Sequence, residues 1–103
     1  MNYQVNVWAM QKDMPLKVLL IEWQQRYGAD SLRLNLCEQH FQAVELIALE
    51  HPKLSAYIYT FAQLPLHYGI DLKYPLAMHN IIGENENQTL EQIIAILQTH
   101  LFF

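Results

Sequence analysis

Residues 32–50 read LRLNLCEQHFQAVELIALE, and the fold turns on how this stretch is parsed. Leu32, Leu34 and Leu36 alternate with Arg33 and Asn35, which is the two-residue period of a strand. Phe41, Val44, Ile47 and Ala48 then recur at helical spacing, and His51-Pro52 ends the run, because proline and its preceding residue resist helical geometry. The spacing predicts a strand over 32–37 that feeds directly into a helix. Asn35 with Glu38 three residues on has the spacing of a capping box at that helix start. The only cysteine, Cys37, sits at the junction, with His40 one turn further.

Upstream, Tyr3, Val5, Val7 and Ala9 alternate with Gln4, Asn6 and Trp8, which predicts a strand with one buried face. Asp13 or Met14 then starts a helix with Pro15 in its first turn, where a missing N–H costs nothing. Leu16, Leu19, Leu20, Trp23 and Tyr27 share one face of it, and Gly28 terminates it as a left-handed stop. Downstream, residues 54–61 place Ala56, Ile58 and Thr60 on one side and Tyr57, Tyr59 and Phe61 on the other. Apolar character on both sides predicts a central strand with these rings in the core. Pro65 and Gly69 break residues 62–70 into a loop. Residues 76–79 read as a further strand, which Ile81-Ile82 either extends or follows as the start of a short partner, and residues 83–87 as a polar turn. Thr89 with Gln92 forms a capping box, and Leu90, Ile93, Ile94, Leu97 and Leu101 mark an amphipathic closing helix. Strands alternating with helices predict an α/β domain with a mostly parallel sheet.

Three features carry a family resemblance. Cys37-x-x-His40 lies at a strand-to-helix junction. Tyr68-Gly69-Ile70 is followed after a short gap by Pro75 and an apolar strand, and an amphipathic helix closes the chain. In these respects the chain resembles the thioredoxin-like fold. The resemblance implies a three-layer α/β/α sandwich with a mixed, mostly parallel central sheet in the order β-α-β-α-β-loop-β-α. It also implies a cis bond between Tyr74 and Pro75 that lines a binding groove facing Cys37. His40 stands where the family has its second cysteine. The resemblance then implies a member that keeps the fold, lacks dithiol chemistry and works by binding or assembly.

The totals set further bounds. The chain has 103 residues, one domain's worth. It is 52% hydrophobic and only 16% charged, against an ordinary quarter or so. The net charge is −4, and Lys12, Lys17, Arg26, Arg33, Lys53 and Lys73 are scattered, which argues against nucleic-acid binding through phosphates. A lone cysteine points to a reducing compartment. The N-terminus has no signal-peptide pattern, and no run approaches the roughly 18 apolar residues of a membrane span. The expectation is a cytoplasmic protein with no membrane contact.

Cys37 and His40 are the candidate catalytic pair. A thiol at a helix N-terminus is easier to ionise, although Glu38 beside it opposes that. His67 and His79 supply no second clustered pair, so no metal site is expected. Isolated glycines exclude a phosphate loop, and no cofactor is expected. The apolar excess collects at Trp8, Leu64, Leu66, Phe102 and Phe103, a candidate interaction surface for a protein partner or for a homodimer. Two function classes follow: a non-catalytic binding or assembly protein, and a thiol-dependent redox enzyme or sensor built on Cys37.

Overall fold

The structure, a computed structural model, describes residues 6–31 and 33–102, with Phe102 described in its backbone alone. After a 3-10 turn at Val7–Ala9 comes helix α1 (Met14–Tyr27). Four strands follow: β1 (Ala43–Ile47), β2 (Ser55–Tyr59), β3 (Tyr68–Lys73) and β4 (Ile81–Gln88). Helix α2 (Leu90–Phe102) closes the chain. The strands form one sheet in the order β1-β2-β3-β4, with every neighbouring pair antiparallel.

This overturns the thioredoxin-like expectation. The fold class is α+β, and its two helices bracket the sheet in sequence rather than crossing between its strands. A parallel pair needs a crossover of a dozen or more residues, usually a helix. The helix expected between Cys37 and Pro52 does not form, so no such crossover exists. The sandwich has two layers, not three.

The physical reason lies in residues 35–42. Asn35 Oδ1 accepts the Cys37 N–H at 3.0 Å, Glu38 Oε1 accepts the His40 N–H at 3.0 Å, and His40 Nδ1 accepts the Gln42 N–H at 3.0 Å. Each is a local side-chain bond of the kind that competes with a helix for backbone groups. The polar cluster at the junction caps turns instead of a helix. Beyond it, Val44, Leu46 and Ala48 also alternate, and all three are buried. Pro52 sits in the tight connection between β1 and β2, where Ala48 N–H donates to Leu54 O at 2.9 Å.

Of the strand expected at residues 32–37, Leu32 lies outside the described residues, and 33–37 keep only an edge contact. Leu34 bridges Leu46 antiparallel, with Asn35 N–H donating to Glu45 O at 3.0 Å and Ile47 N–H to Arg33 O at 2.8 Å. Of the expected first strand, Val7–Ala9 forms the 3-10 turn, while Tyr3 and Val5 lie outside the described residues. The segment expected to be a loop, residues 62–70, holds the start of β3, whose Tyr68, Ile70 and Leu72 point inward. The expected polar turn at 83–87 belongs to β4. The strand expected at 76–79 is a 3-10 turn, Ala77–His79.

Both long helices stand as the sequence has them. Asp13 caps α1 by accepting the Leu16 N–H at 3.4 Å, with Pro15 in the first turn. Asp13 Oδ2 also accepts from the Thr60 hydroxyl at 2.5 Å, and Tyr68 donates its hydroxyl to Pro15 O at 2.7 Å, tying the start of α1 to the sheet. Thr89 and Gln92 form the reciprocal box of α2, at 2.8 Å and 3.2 Å. Leu16, Leu19, Leu20 and Trp23 from α1 meet Ile93, Ile94 and Leu97 from α2 over Val44, Leu46, Ala56, Ile58 and Ile70. This main cluster of the core therefore lies on one face of the sheet. No described helix is long and apolar enough to cross a membrane.

Candidate docking surface on the open face of the sheet

Strand alternation that sends Val44, Ile58 and Ile70 into the core must send their neighbours the other way. The pairing registers align Glu45 with Tyr57 and Asp71, Ala43 with Tyr59 and Gly69, and Ile47 with Ser55 and Lys73. These residues make up the face opposite the helices. His40, in the segment leading into β1, reaches over one corner of it, 5.1 Å from Phe61.

Aromatic rings run along this face. Tyr57 and Tyr59 have centroids 5.9 Å apart, and Tyr59 stacks on Phe61 at 4.7 Å with 21° between planes. The Tyr59 ring also lies flat on β3. A Cβ built on Gly69 would come within 2.2 Å of Tyr59 Cε2 and Cζ, so glycine is what lets the ring approach the backbone. Tyr59 is consequently buried, while Tyr57 and Phe61 remain half-exposed.

Carboxylates surround the rings. Glu45 accepts from Asn35 Nδ2 at 2.7 Å and from the Ser55 hydroxyl at 2.9 Å, and pairs with Lys73 Nζ at 3.1 Å. Burial alone pushes the Glu45 carboxyl up, but the bonds from Asn35, Lys73 and Ser55 together hold it below the ordinary carboxylate range. Lys73 Nζ stands 5.6 Å from the Tyr57 centroid, within cation–π reach. Partial burial raises the Tyr57 hydroxyl pKa, with Glu38, Asp71 and Glu45 adding to it. Burial likewise pushes Tyr59 to about 12, helped by the charges of Asp71 and Glu86. The rings therefore sit in a negative field.

The connection between β2 and β3 borders this face. Ala62 and Leu66 take positive φ, 58° and 59°, which L-residues adopt only when their surroundings enforce it. Here Leu64 N–H donates to Asn87 Oδ1 at 2.8 Å, Asn87 N–H donates to Gln63 Oε1 at 2.5 Å, and Gln63 Nε2 also bonds Glu86. The clamp leaves Leu64 and Leu66 exposed, at 58% and 73%.

The residues singled out from sequence fall in several places. Cys37 is exposed in a turn, not at a helix N-terminus, so no helix dipole acts on its thiol. His40 lies on the rim of the aromatic row. Tyr74 packs edge-on to His100 at 4.8 Å, and its N–H donates to Asn80 Oδ1 at 2.7 Å. Pro75 is exposed after a trans peptide bond, so the cis geometry implied by the resemblance is absent. Trp8 is exposed in the 3-10 turn, and its carbonyl accepts from Lys17 Nζ at 3.1 Å. The side chain of Phe102 and all of Phe103 lie outside the described residues. Sequence reading assigned Tyr57, Tyr59 and Phe61 to the core and passed over Asp71 and Glu86. The signal that could have found them is the strict alternation of Tyr68-Gly69-Ile70-Asp71-Leu72-Lys73.

A concavity of ≈510 Å³ lies between β3 and α2, lined by Leu72, Tyr74, Ala95, Ile96, Thr99 and His100. His100 Nε2 donates to Ser55 O at 2.8 Å, and its buried Nδ1 has no partner in the structure. Among the described residues no three His, Cys, Asp or Glu side chains converge as a metal site would require. No known protein-family model, curated protein or solved structure matches this chain.

Proposed function

We propose that this chain is a non-catalytic binding module that docks a protein partner on the open face of its sheet. The observation that supports this is the row Tyr57–Tyr59–Phe61 on the face opposite the two helices, with Tyr57 and Phe61 half-exposed. Rigid aromatic rings supply contact area at small cost in side-chain entropy, and aromatic anchors dominate protein interfaces. Leu64 and Leu66, held out by the clamp on β4, extend the same surface with apolar contacts. The lone, unpaired Cys37 fits a reducing, cytoplasmic setting for this role.

Site-resolved photocrosslinking in the source cell tests the reading. A photoreactive phenylalanine analogue replaces Tyr57 in one variant, Phe61 in a second and the helix-face residue Val18 in a third. Discrete adducts at positions 57 and 61 but not at 18 are expected. Equal labelling at all three positions, or none at 57 and 61, would sink the proposal.

A further inference from the structure

The charge of the open face narrows what can dock there. Glu45 is neutralised within the face by Lys73 at 3.1 Å. Asp71 stands opposite Tyr57 in the register and accepts the Gly83 N–H at 3.0 Å, and Glu86, which accepts from Gln63, adds its charge at Tyr59. Among the described residues neither Asp71 nor Glu86 has a cationic partner within ion-pair distance. Glu38 adds its field at the Tyr57 end. Lys12 is the other cation at this corner, and its ammonium is engaged by the Glu38 and His40 carbonyls at 3.2 Å and 2.7 Å. Aromatic rings bordered by unpaired carboxylates attract cations by two routes at once, the ring quadrupole and the formal charge.

The face already seats one such cation. Lys73 lies over the Tyr57 ring and against a carboxylate, the arrangement an incoming basic side chain would copy beside Tyr59 and Phe61. The same charge disfavours other occupants. A second copy docked face to face would set Asp71 and Glu86 against like charges, and a nucleic acid would bring phosphates to carboxylates.

Resting on the docking reading above, we infer that the occupant of the open face is an extended protein segment carrying arginine or lysine. Its cationic groups lie beside the Tyr59 and Phe61 rings and pair with Asp71 and Glu86. Its apolar side chains meet Leu64 and Leu66.

The test uses the full chain, labelled with 15N, and three blocked octapeptides in which serine alternates with arginine, glutamine or glutamate. The arginine peptide is expected to shift the amide signals of residues 57–61 and 69–71. Its affinity should fall at least about tenfold when salt is raised from about 0.05 to 0.5 M, because exposed charges are screened. The glutamine peptide should bind at least about tenfold more weakly, and the glutamate peptide not at all. Asp71→Asn combined with Glu86→Gln keeps the shapes and acceptor oxygens, and should weaken the arginine peptide about fivefold or more at an unchanged unfolding midpoint. Equal binding of the glutamine and arginine peptides on this face overturns the basic-segment inference and leaves the docking reading standing. Failure of the arginine peptide to shift the face at about 1 mM, the weak end of measurable affinity, also overturns it. The docking reading itself stands or falls on the crosslinking at positions 57 and 61.

Discussion

Gly69 is hemmed in by the far end of the Tyr59 ring, 2.2 Å from where a Cβ would stand. That ring cannot swing aside freely, because Phe61 stacks on it at 4.7 Å and Tyr57 lies 5.9 Å away on its other side. Gly69→Ala should therefore lower stability by about 1–3 kcal/mol, the usual cost of forcing extra volume into a packed site. In a Tyr59→Ala background the methyl group has room, and the cost should largely vanish. Urea unfolding of the two single variants and the double variant measures the coupling. Additive effects would mean that ring and glycine do not constrain each other. At this scale the sequence was partly legible. Tyr57, Tyr59 and Phe61 were assigned to one face of a strand from their spacing alone; Tyr57 and Tyr59 share a face of β2, and Phe61, in the turn beyond it, stacks on Tyr59. That this face looks away from the helices could not be read from residues 54–61, since the opposite face is equally apolar.

Elements divide by how local their determinants are. α1 and α2 carry their own start signals: Asp13 with Pro15, and Thr89 with Gln92. These act within four residues, so sequence and structure agree on both helices. Thr89→Ala should cost about 1 kcal/mol, typical of losing an N-cap, and thermal unfolding followed by circular dichroism would detect it. A change smaller than the measurement error would mean that the box at the start of α2 contributes nothing to stability. The strands lack such signals. In β1, Val44 and Ile47 fit a helical period while Val44, Leu46 and Ala48 fit a strand period, and the choice depends on β2 pairing alongside. In β4, Glu84, Asn85, Glu86 and Asn87 look like a turn because an edge strand need not be apolar. Its register shifts against β3, with Gly83 and Asn87 at φ 75° and 52°, also blunt that edge against unwanted strand pairing.

For the whole molecule, the one-sided sheet sets the pH response. The folded pKa of Glu45 lies below its ordinary 4.5. The folded state thus binds fewer protons than the unfolded chain in acid, and the Glu45 contribution is complete above about pH 4.5 and fades as pH falls through the folded value. The tyrosines act in the opposite sense. Burial pushes Tyr68 to about 12, with the Asp13 charge adding to it, and Tyr59 also stands at about 12. Their contribution is complete below about pH 10 and is lost as pH rises through about 12. Urea midpoints across pH should fall at both ends. Glu45→Gln should flatten the acid limb and Tyr68→Phe the alkaline limb. An acid limb unchanged by Glu45→Gln would show that the Glu45 network is not what acid dissolves.

The sequence by itself determined what depends on neighbours along the chain: the two capped helices, the strand nature of residues 55–59 and the sharing of one face by its rings. It also carried the candidate turn formers Asn35, Glu38 and His40, although their bonds build turns where a helix start was expected. Only the tertiary structure decided strand direction, the single covered face and the gathering of Tyr59, Gly69, Asp71 and Glu86. The physical reason is that sheet pairing joins residues far apart in sequence. Whether β1 is a strand depends on β2, and whether β3 faces water or core depends on where the helices settle. With both helices packed on one side, the apolar and acidic residues of the other side are left together as a surface.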